Sequence, residues 1–259
     1  MGLEQRFVHW YDLDQGIFED DIPLYLGLAE CTGSPILELG CGTGRLVLAL
    51  AQAGHQVTGV EREPAMLARA EQKVRLAGQA VAERISLVST DFRTLELPGR
   101  YRLAILAVNT WMDLPGPAEQ AHVLERVAQH LEPGGLLVLD LFHPHPAALA
   151  PAEGGLVLEK VLTDPETGRQ VHKFVARQVD YARQILTATF IYDQIAADGC
   201  VTRAAATFSL RYLYRAEVEQ MLHAAGFAVE DVYGSYELDT YTDDGERMIL
   251  VARQDLMPR

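Results

Sequence analysis

Ile36-Leu37-Glu38-Leu39-Gly40-Cys41-Gly42-Thr43-Gly44 is the stretch on which the reading of the whole chain turns. Three apolar residues around one acid describe a buried strand. Glycine then recurs at 40, 42 and 44, and a helical pattern starts at Arg45-Leu46-Val47-Leu48-Ala49-Leu50-Ala51. A strand, a glycine turn and a helix in that order place a helix N-terminus and free backbone N–H groups at the strand's C-terminal end, facing a ligand. Glycine suits the turn because it adopts φ > 0 and lets the backbone approach the ligand closely. The spacing departs from the dinucleotide fingerprint Gly-x-Gly-x-x-Gly/Ala. Arg45 stands where the third small residue belongs, and the frame that starts at Gly42 ends on Val47.

Strands and helices alternate downstream. Residues 56–60 read as a second strand closed by Glu61, an acid 19 residues beyond Gly42. A carboxylate at that strand end accepts hydrogen bonds from ribose hydroxyls in nucleoside-binding α/β folds. Pro64 opens a helix that Gly78 stops. Residues 84–89 form a third strand, followed by Asp91-Phe92. Residues 101–108 form a fourth, almost wholly apolar, as in a sheet covered on both faces; it ends in Asn109-Thr110-Trp111-Met112-Asp113. A helix over 117–131 stops at Glu132-Pro133-Gly134-Gly135, and strand five runs over 136–142 into His143-Pro144-His145.

Glu38-x-Gly40-x-Gly42-x-Gly44 after an apolar strand is similar to motif I of the class I S-adenosylmethionine-dependent methyltransferases. Glu61 and Asp91-Phe92 follow in the order that family shows. The resemblance implies a Rossmann-like, seven-stranded, mostly parallel sheet with helices on both faces. It implies S-adenosyl-L-methionine as cofactor, and a methyl group passed to a small-molecule acceptor by in-line displacement. It assigns Glu38, Gly40, Cys41, Gly42 and Gly44 to the amino-acid end, Glu61 to the ribose, Asp91 and Phe92 to the adenine edge, and Asn109 to the motif beside the sulfonium; Arg62 and Met66 complete the cofactor-binding set. Met66 lies along the adenine or is plain core. If the acceptor is an amine or hydroxyl a proton must leave, and His143, Tyr11 and Asp113 are the catalytic candidates. Tyr11 otherwise serves as an aromatic anchor. His143 and His145 have no third ligand nearby, so no metal is expected.

Residues 156–214 break the alternation. Four β-rich runs, with turn signals between the first two and between the last two, predict an antiparallel β-meander inserted between strand five and the last helix. Its candidate roles are a lid over substrate or a homodimer surface. Its aromatic faces, Phe190 with Tyr192 and Phe208 with Tyr212, serve a substrate or core packing. The expected organisation is an N-terminal helical cap segment over 1–35, a cofactor-binding domain over 36–148 and 215–253, and the insert over 149–214. A helix is expected over about 20–30, and residues 229–236 and 247–252 are the last two strands.

A net charge of −14 argues against nucleic acid and anionic lipid as partners and favours a neutral or cationic small molecule. No run of about 18 apolar residues exists, so no membrane span is expected. Three scattered cysteines and a start without a basic-then-apolar pattern predict a reducing, cytoplasmic setting. Two other functions share parts of the pattern: a nicotinamide (NAD(P))-dependent oxidoreductase, against which the missing third small residue stands, and a non-catalytic S-adenosylmethionine-binding scaffold.

Overall fold

A computed structural model of the chain describes residues 3–150 and 155–255. In chain order its elements are α1 (Leu3–Gln15), α2 (Ile22–Thr32), β1 (Ile36–Leu39), α3 (Arg45–Gln52), β2 (Val57–Glu61), α4 (Pro64–Leu76), α5 (Gln79–Ala82), β3 (Ile85–Ser89), β4 (Tyr101–Leu106), α6 (Pro117–His130) and β5 (Leu131–Phe142). Then come α7 (Pro146–Leu149), β6 (Leu156–Thr163), β7 (Gln170–Asp180), β8 (Ile185–Ile195), β9 (Val201–Arg211), α8 (Arg215–Ala224), β10 (Phe227–Tyr233) and β11 (Arg247–Gln254). The chain divides into two compact units. One holds residues 19–145 and the segment from 213 onward; the other holds the segment up to 18 and residues 146–212.

The first unit is built on a seven-stranded sheet in the order β10-β11-β5-β4-β1-β2-β3. β1 pairs in parallel with β2 and β4, β2 with β3, and β4 with β5. Only β11 is reversed, antiparallel to both β5 and β10. The chain leaves β1 toward β2 and β3, then returns on the other side of β1 to make β4. The reversal of strand order between β1 and β4 opens a crevice at their C-terminal ends, where ligands of such sheets sit.

All four residues of β1 are buried, as two covered faces demand. Ile36 joins Leu103, Ile105, Val138 and Ile249 in one cluster with Leu46, Val47 and Leu50 of α3 and Tyr25 and Ala29 of α2. The alternate residues Leu37, Leu39, Leu137, Leu139 and Leu250 are buried on the opposite face. Each such side chain stabilises the fold by about 1.5–3 kcal/mol relative to leaving it exposed. β5 starts five residues before the expected Leu136. Its Pro133-Gly134-Gly135 run is carried as a register shift, with Tyr101 opposite Leu131 and Leu103 opposite Leu136. β4 ends two residues early, at Leu106, because Val108 and Asn109 turn to φ of 45° and 67°.

The second unit is the antiparallel sheet β6-β7-β8-β9 with α1. The turn signals located its four strands. α1 falls within the expected N-terminal helical cap segment, in which only the helix over about 20–30 has expected bounds. Phe7, Val8 and Trp10 are buried, and so is Asp14. Asp14 is kept inside by ion pairs with Lys173 at 2.6 Å and Lys160 at 2.9 Å, and by the Tyr192 hydroxyl at 3.0 Å. Phe190 and Phe208 stand 5.1 Å apart on one face of this sheet, and Phe7 of α1 lies 6.1 Å from Phe208. The expected segment 1–35 is thus shared between units, α1 going with the meander and α2 with the large sheet. Residues 1–2 of that range and 151–154 of the insert lie outside the described residues.

Candidate functional site

The bend after β1 is shaped by its hydrogen bonds. Gly40 and Cys41 both donate their N–H to the Val60 carbonyl, at 2.8 and 3.0 Å, and Gly44 donates to the Cys41 carbonyl at 2.9 Å. Gly40, Gly42 and Gly44 take φ of 74°, 56° and 79°, which L side chains rarely adopt. Their surroundings differ. A Cβ on Gly40 would lie 2.4 Å from Thr110 Cγ2, and one on Gly44 would lie 3.0 Å from Ala70 Cβ. A Cβ on Gly42 would meet nothing within 4 Å, so the middle of the bend faces open space.

Two acids flank this bend. Glu61, at the end of β2, accepts the Gly42 N–H on one carboxylate oxygen and the Glu63 N–H on the other, both at 2.9 Å. Each oxygen keeps a lone pair for a further donor. Glu38, in β1, is 4% exposed, and its Oε2 has no hydrogen-bond partner. Burial pushes the Glu38 carboxyl up to about 8, against the pull of the Arg45 guanidinium. Arg45 itself is clamped in both arms by the buried Asp21, at 2.5 and 2.6 Å. Cys41 is buried, and desolvation raises its thiol.

The remaining assigned residues are distributed along the same edge. Arg62 reaches Glu63 at 3.3 Å and Asp113 at 3.7 Å. It thereby spans from the end of β2 to the turn after β4, the two strands that flank β1. Burial raises the Asp113 carboxyl, with Arg62 pulling it back. Met66 is half-buried in the first turn of α4. Asp91 caps the turn at Phe92–Thr94 and is engaged by the Arg93 guanidinium, whose Nη2 stands 2.5 Å from its Oδ2. These hydrogen bonds hold the Asp91 carboxyl low, and Arg93 must move aside for either oxygen to serve a base edge. Phe92 is buried beside it. Asn109 accepts the Phe142 N–H on Oδ1 at 2.6 Å.

His143, at the end of β5, is buried. Its Nδ1 lies 2.6 Å from the Tyr241 hydroxyl, and the ring also bonds to the Asp243 backbone. Desolvation lowers its pKa, so the ring is neutral at physiological pH. Tyr11 belongs to the second unit, where its ring lies 5.9 Å from Phe7.

One group of residues escaped the sequence reading. Asp140, in β5, is fully buried. Its Oδ2 accepts the Tyr25 hydroxyl at 3.0 Å, the Tyr236 hydroxyl at 3.1 Å and the Val108 N–H at 2.9 Å. Its Oδ1 accepts from Arg247 Nε at 2.9 Å and from Arg247 Nη2. A signal did exist: Asp140 is the single acid in an apolar run, as Glu38 is in β1.

The arrangement suits S-adenosylmethionine. A buried, unpartnered carboxylate oxygen is what an ammonium group lacks in water-poor surroundings. The open side of Gly42 admits a ligand to the backbone, and Glu61 retains acceptor capacity for hydroxyls.

Comparisons with known proteins agree. A family model described as a methyltransferase domain matches residues 36–135. The chain is 30% identical over 219 residues to the cypemycin N-terminal methyltransferase of a Streptomyces species, covering 85% of this chain and 82% of that one. The structure of the CcbJ methyltransferase from Streptomyces caelestis superposes with a TM-score of 0.77 at 26% identity, covering 92% of this chain and 90% of that one. An S-adenosylmethionine-dependent methyltransferase from Clostridium acetobutylicum, 17% identical, shares the fold at a TM-score of 0.80 over 96% of this chain and 98% of its own.

Proposed function

Because the chain belongs to the class I S-adenosylmethionine-dependent methyltransferases and so transfers a methyl group to a small-molecule acceptor, we propose that its cofactor is held by the bend at 40–44 between Glu38 and Glu61, and that the acceptor atom is an amine nitrogen. The observation that carries the cofactor assignment is the pairing of the Gly42 N–H with Glu61 beside the unpartnered oxygen of Glu38. When bound, the cofactor supplies an electrophilic methyl on a sulfonium, which needs no further activation.

The chain's own residues bind and align. Glu38 receives the ammonium group, and Glu61 receives the ribose hydroxyls. Met66 and Phe92 are assigned to the adenine, and Cys41, whose side chain packs in the core beside Gly59 and Val47, serves through its backbone in the bend. Asn109 holds the bend after β4 to β5, and Arg62 ties Asp113 to the end of β2. Asp91 serves the adenine edge once Arg93 is displaced. Fixing these groups before reaction removes most of the orientation cost of bringing nucleophile and methyl into line.

An amine acceptor is supported by the negative charge of the chain and by the name of its 30% identical relative, an N-terminal methyltransferase. The amine must attack neutral, so a proton leaves. Asp113 is the group we assign to accept it, because burial raises its carboxyl toward the basicity a proton acceptor needs. His143 is tied at its ring to Tyr241 and Asp243 and acts by shaping the acceptor's surroundings. Tyr11, which belongs to the other unit, is given no part in the proton transfer.

The boundaries 36–148 with 215–253 for cofactor binding, and 149–214 for the insert, remain our assignment. We also assign homodimerisation to the meander unit's own edge. Among the described residues β6 pairs only with β7, and Leu156, Val157, Leu158 and Val161 on it are exposed. Among the described residues no helix is long and apolar enough to cross a membrane. The cysteines are free, which fits a cytoplasmic setting.

The test of the function is a transfer screen against amines, phenols, carboxylates and thiols, read by released S-adenosylhomocysteine. Turnover with amines is expected. Release only with the other classes would remove the amine assignment and leave the family intact.

A further inference from the structure

Val108 and Asn109 are consecutive non-glycine residues with positive φ, 45° and 67°. For a β-branched residue such as valine this is an outlier, which persists only where the surroundings over-determine it. Here they do. The Val108 N–H donates to the Asp140 carboxylate at 2.9 Å, and the Asn109 N–H to the Asp140 carbonyl at 2.8 Å. The Phe142 N–H donates to Asn109 Oδ1 at 2.6 Å, and the Thr110 hydroxyl to the Ala107 carbonyl at 2.6 Å. The bend is thus fastened to β5 from both ends, and Asp140 supplies two of its acceptors.

The same carboxylate collects donors from elements far apart in sequence. Tyr25 comes from α2, Tyr236 from the loop after β10, and Arg247 from β11. Arg247 balances the charge, so the buried acid is not left unpaired. Beyond the bend, Thr110 Cγ2 occupies the space that a side chain on Gly40 would need. A continuous chain of contacts therefore runs from Asp140 through Val108 and Thr110 to the glycine bend.

We propose that Asp140 is a positioning residue of the methyl-transfer site: it holds the Val108–Asn109 bend left-handed and, through Thr110, fixes the glycine bend against which the cofactor rests. This deepens the cofactor assignment above and rests on it. An acid serving only as ion partner to Arg247 would use Oδ1 alone, whereas Oδ2 is given to the strained amide and the two hydroxyls.

The experiment measures S-adenosylhomocysteine binding by calorimetry and the urea midpoint of the ligand-free protein, for wild type, D140N, V108G and D140N/V108G. D140N is expected to weaken binding at least tenfold, and V108G alone to stay within threefold. Glycine takes φ near 45° without strain, so the double variant is expected to recover at least threefold of the D140N loss. If D140N does not fold, D140N/R247M removes the uncompensated guanidinium and is expected to show the same tenfold loss. Binding by D140N, or by D140N/R247M in its place, within threefold of wild type would overturn the proposal. So would a double variant whose loss is the product of the two single losses. If wild type itself binds no S-adenosylhomocysteine at millimolar concentration, the cofactor assignment fails and takes the proposal with it.

Discussion

The Glu61 carboxylate accepts the Gly42 N–H at 2.9 Å, from the end of one strand to the middle of the bend that follows another. The bond crosses the gap between β2 and β1 at the only glycine of the three whose Cβ position is open. It ties the middle of the bend to the end of β2. In the cofactor assignment proposed above, the same side chain also meets the ribose.

Glu61→Ala is therefore expected to weaken S-adenosylhomocysteine binding by more than about 1.5 kcal/mol, the scale of hydrogen bonds lost from a charged acceptor, or over tenfold. Isothermal calorimetry reads this directly. An unchanged dissociation constant removes Glu61 from the ribose.

Gly40 and Gly42 should respond differently to alanine. Gly40→Ala places a methyl 2.4 Å from Thr110 Cγ2 and is expected to cost several kcal/mol of stability, part of it restored by Thr110→Ser. Gly42→Ala has room and bears only the left-handed penalty of about 1–2 kcal/mol. Its methyl projects into the open space, so its larger effect should fall on cofactor affinity. Urea midpoints beside binding constants separate the two cases; equal stability losses at both positions would contradict the difference in their surroundings.

Glu38 makes stability depend on pH. Its carboxyl is pushed up to about 8 in the folded chain, from 4.5 in the reference state. The folded state holds the proton more tightly, so this contribution is complete below pH 4.5 and is lost as pH rises to about 8. The slope approaches about 1.4 kcal/mol per pH unit between those limits. Glu38→Gln is expected to flatten the profile between pH 5 and 8, measured by urea unfolding. An ammonium group bound at Glu38 favours the ionised form, so ligand binding at pH 7 should release a proton, seen as a buffer-dependent binding enthalpy. Binding without proton release would place the ammonium elsewhere.

Asp113→Asn is expected to lower kcat by about 10²–10⁴-fold, the usual yield of a general base, with S-adenosylhomocysteine affinity held within threefold. His143→Gln should cost less than tenfold in kcat. The reverse order of the two effects would transfer the proton to His143.

In the meander unit, Asp14→Ala takes from Lys173, which is 2% exposed, its 2.6 Å ion pair and leaves it the one with Glu159 at 2.7 Å. The remaining partner keeps the cost below the about 3–5 kcal/mol of a fully broken buried pair. Asp14→Leu with Lys173→Met should recover most of this. Burial pushes the Asp14 carboxyl up, but hydrogen bonds from Lys173 and Lys160 outweigh it and the net shift is downward. Its stabilisation is thus present above the reference value of 3.8 and is lost as pH falls below it. Thermal melts of the wild type and both variants above and below that pH check the order.

Local pattern was enough for the sheet and for the glycine bend after β1. Buried parallel strands are apolar runs of a few residues, and the left-handed backbone at 40, 42 and 44 favours glycine, so both leave marks within a short window of sequence. The meander was legible for the same reason, since its turns carry Asp-Pro and Asp-Gly signals. Partnerships made across the fold leave no such mark. Asp140 stands in its strand as plainly as Glu38 does in β1, yet its donors come from residues 25, 108, 236 and 247. Nothing in the sequence around Asp14 points to Lys173, 159 residues later, which the fold places against it. Which carboxylates hold the architecture and which keep an oxygen free for a ligand is settled only when the chain has folded, because a buried charge is defined by the partners brought to it.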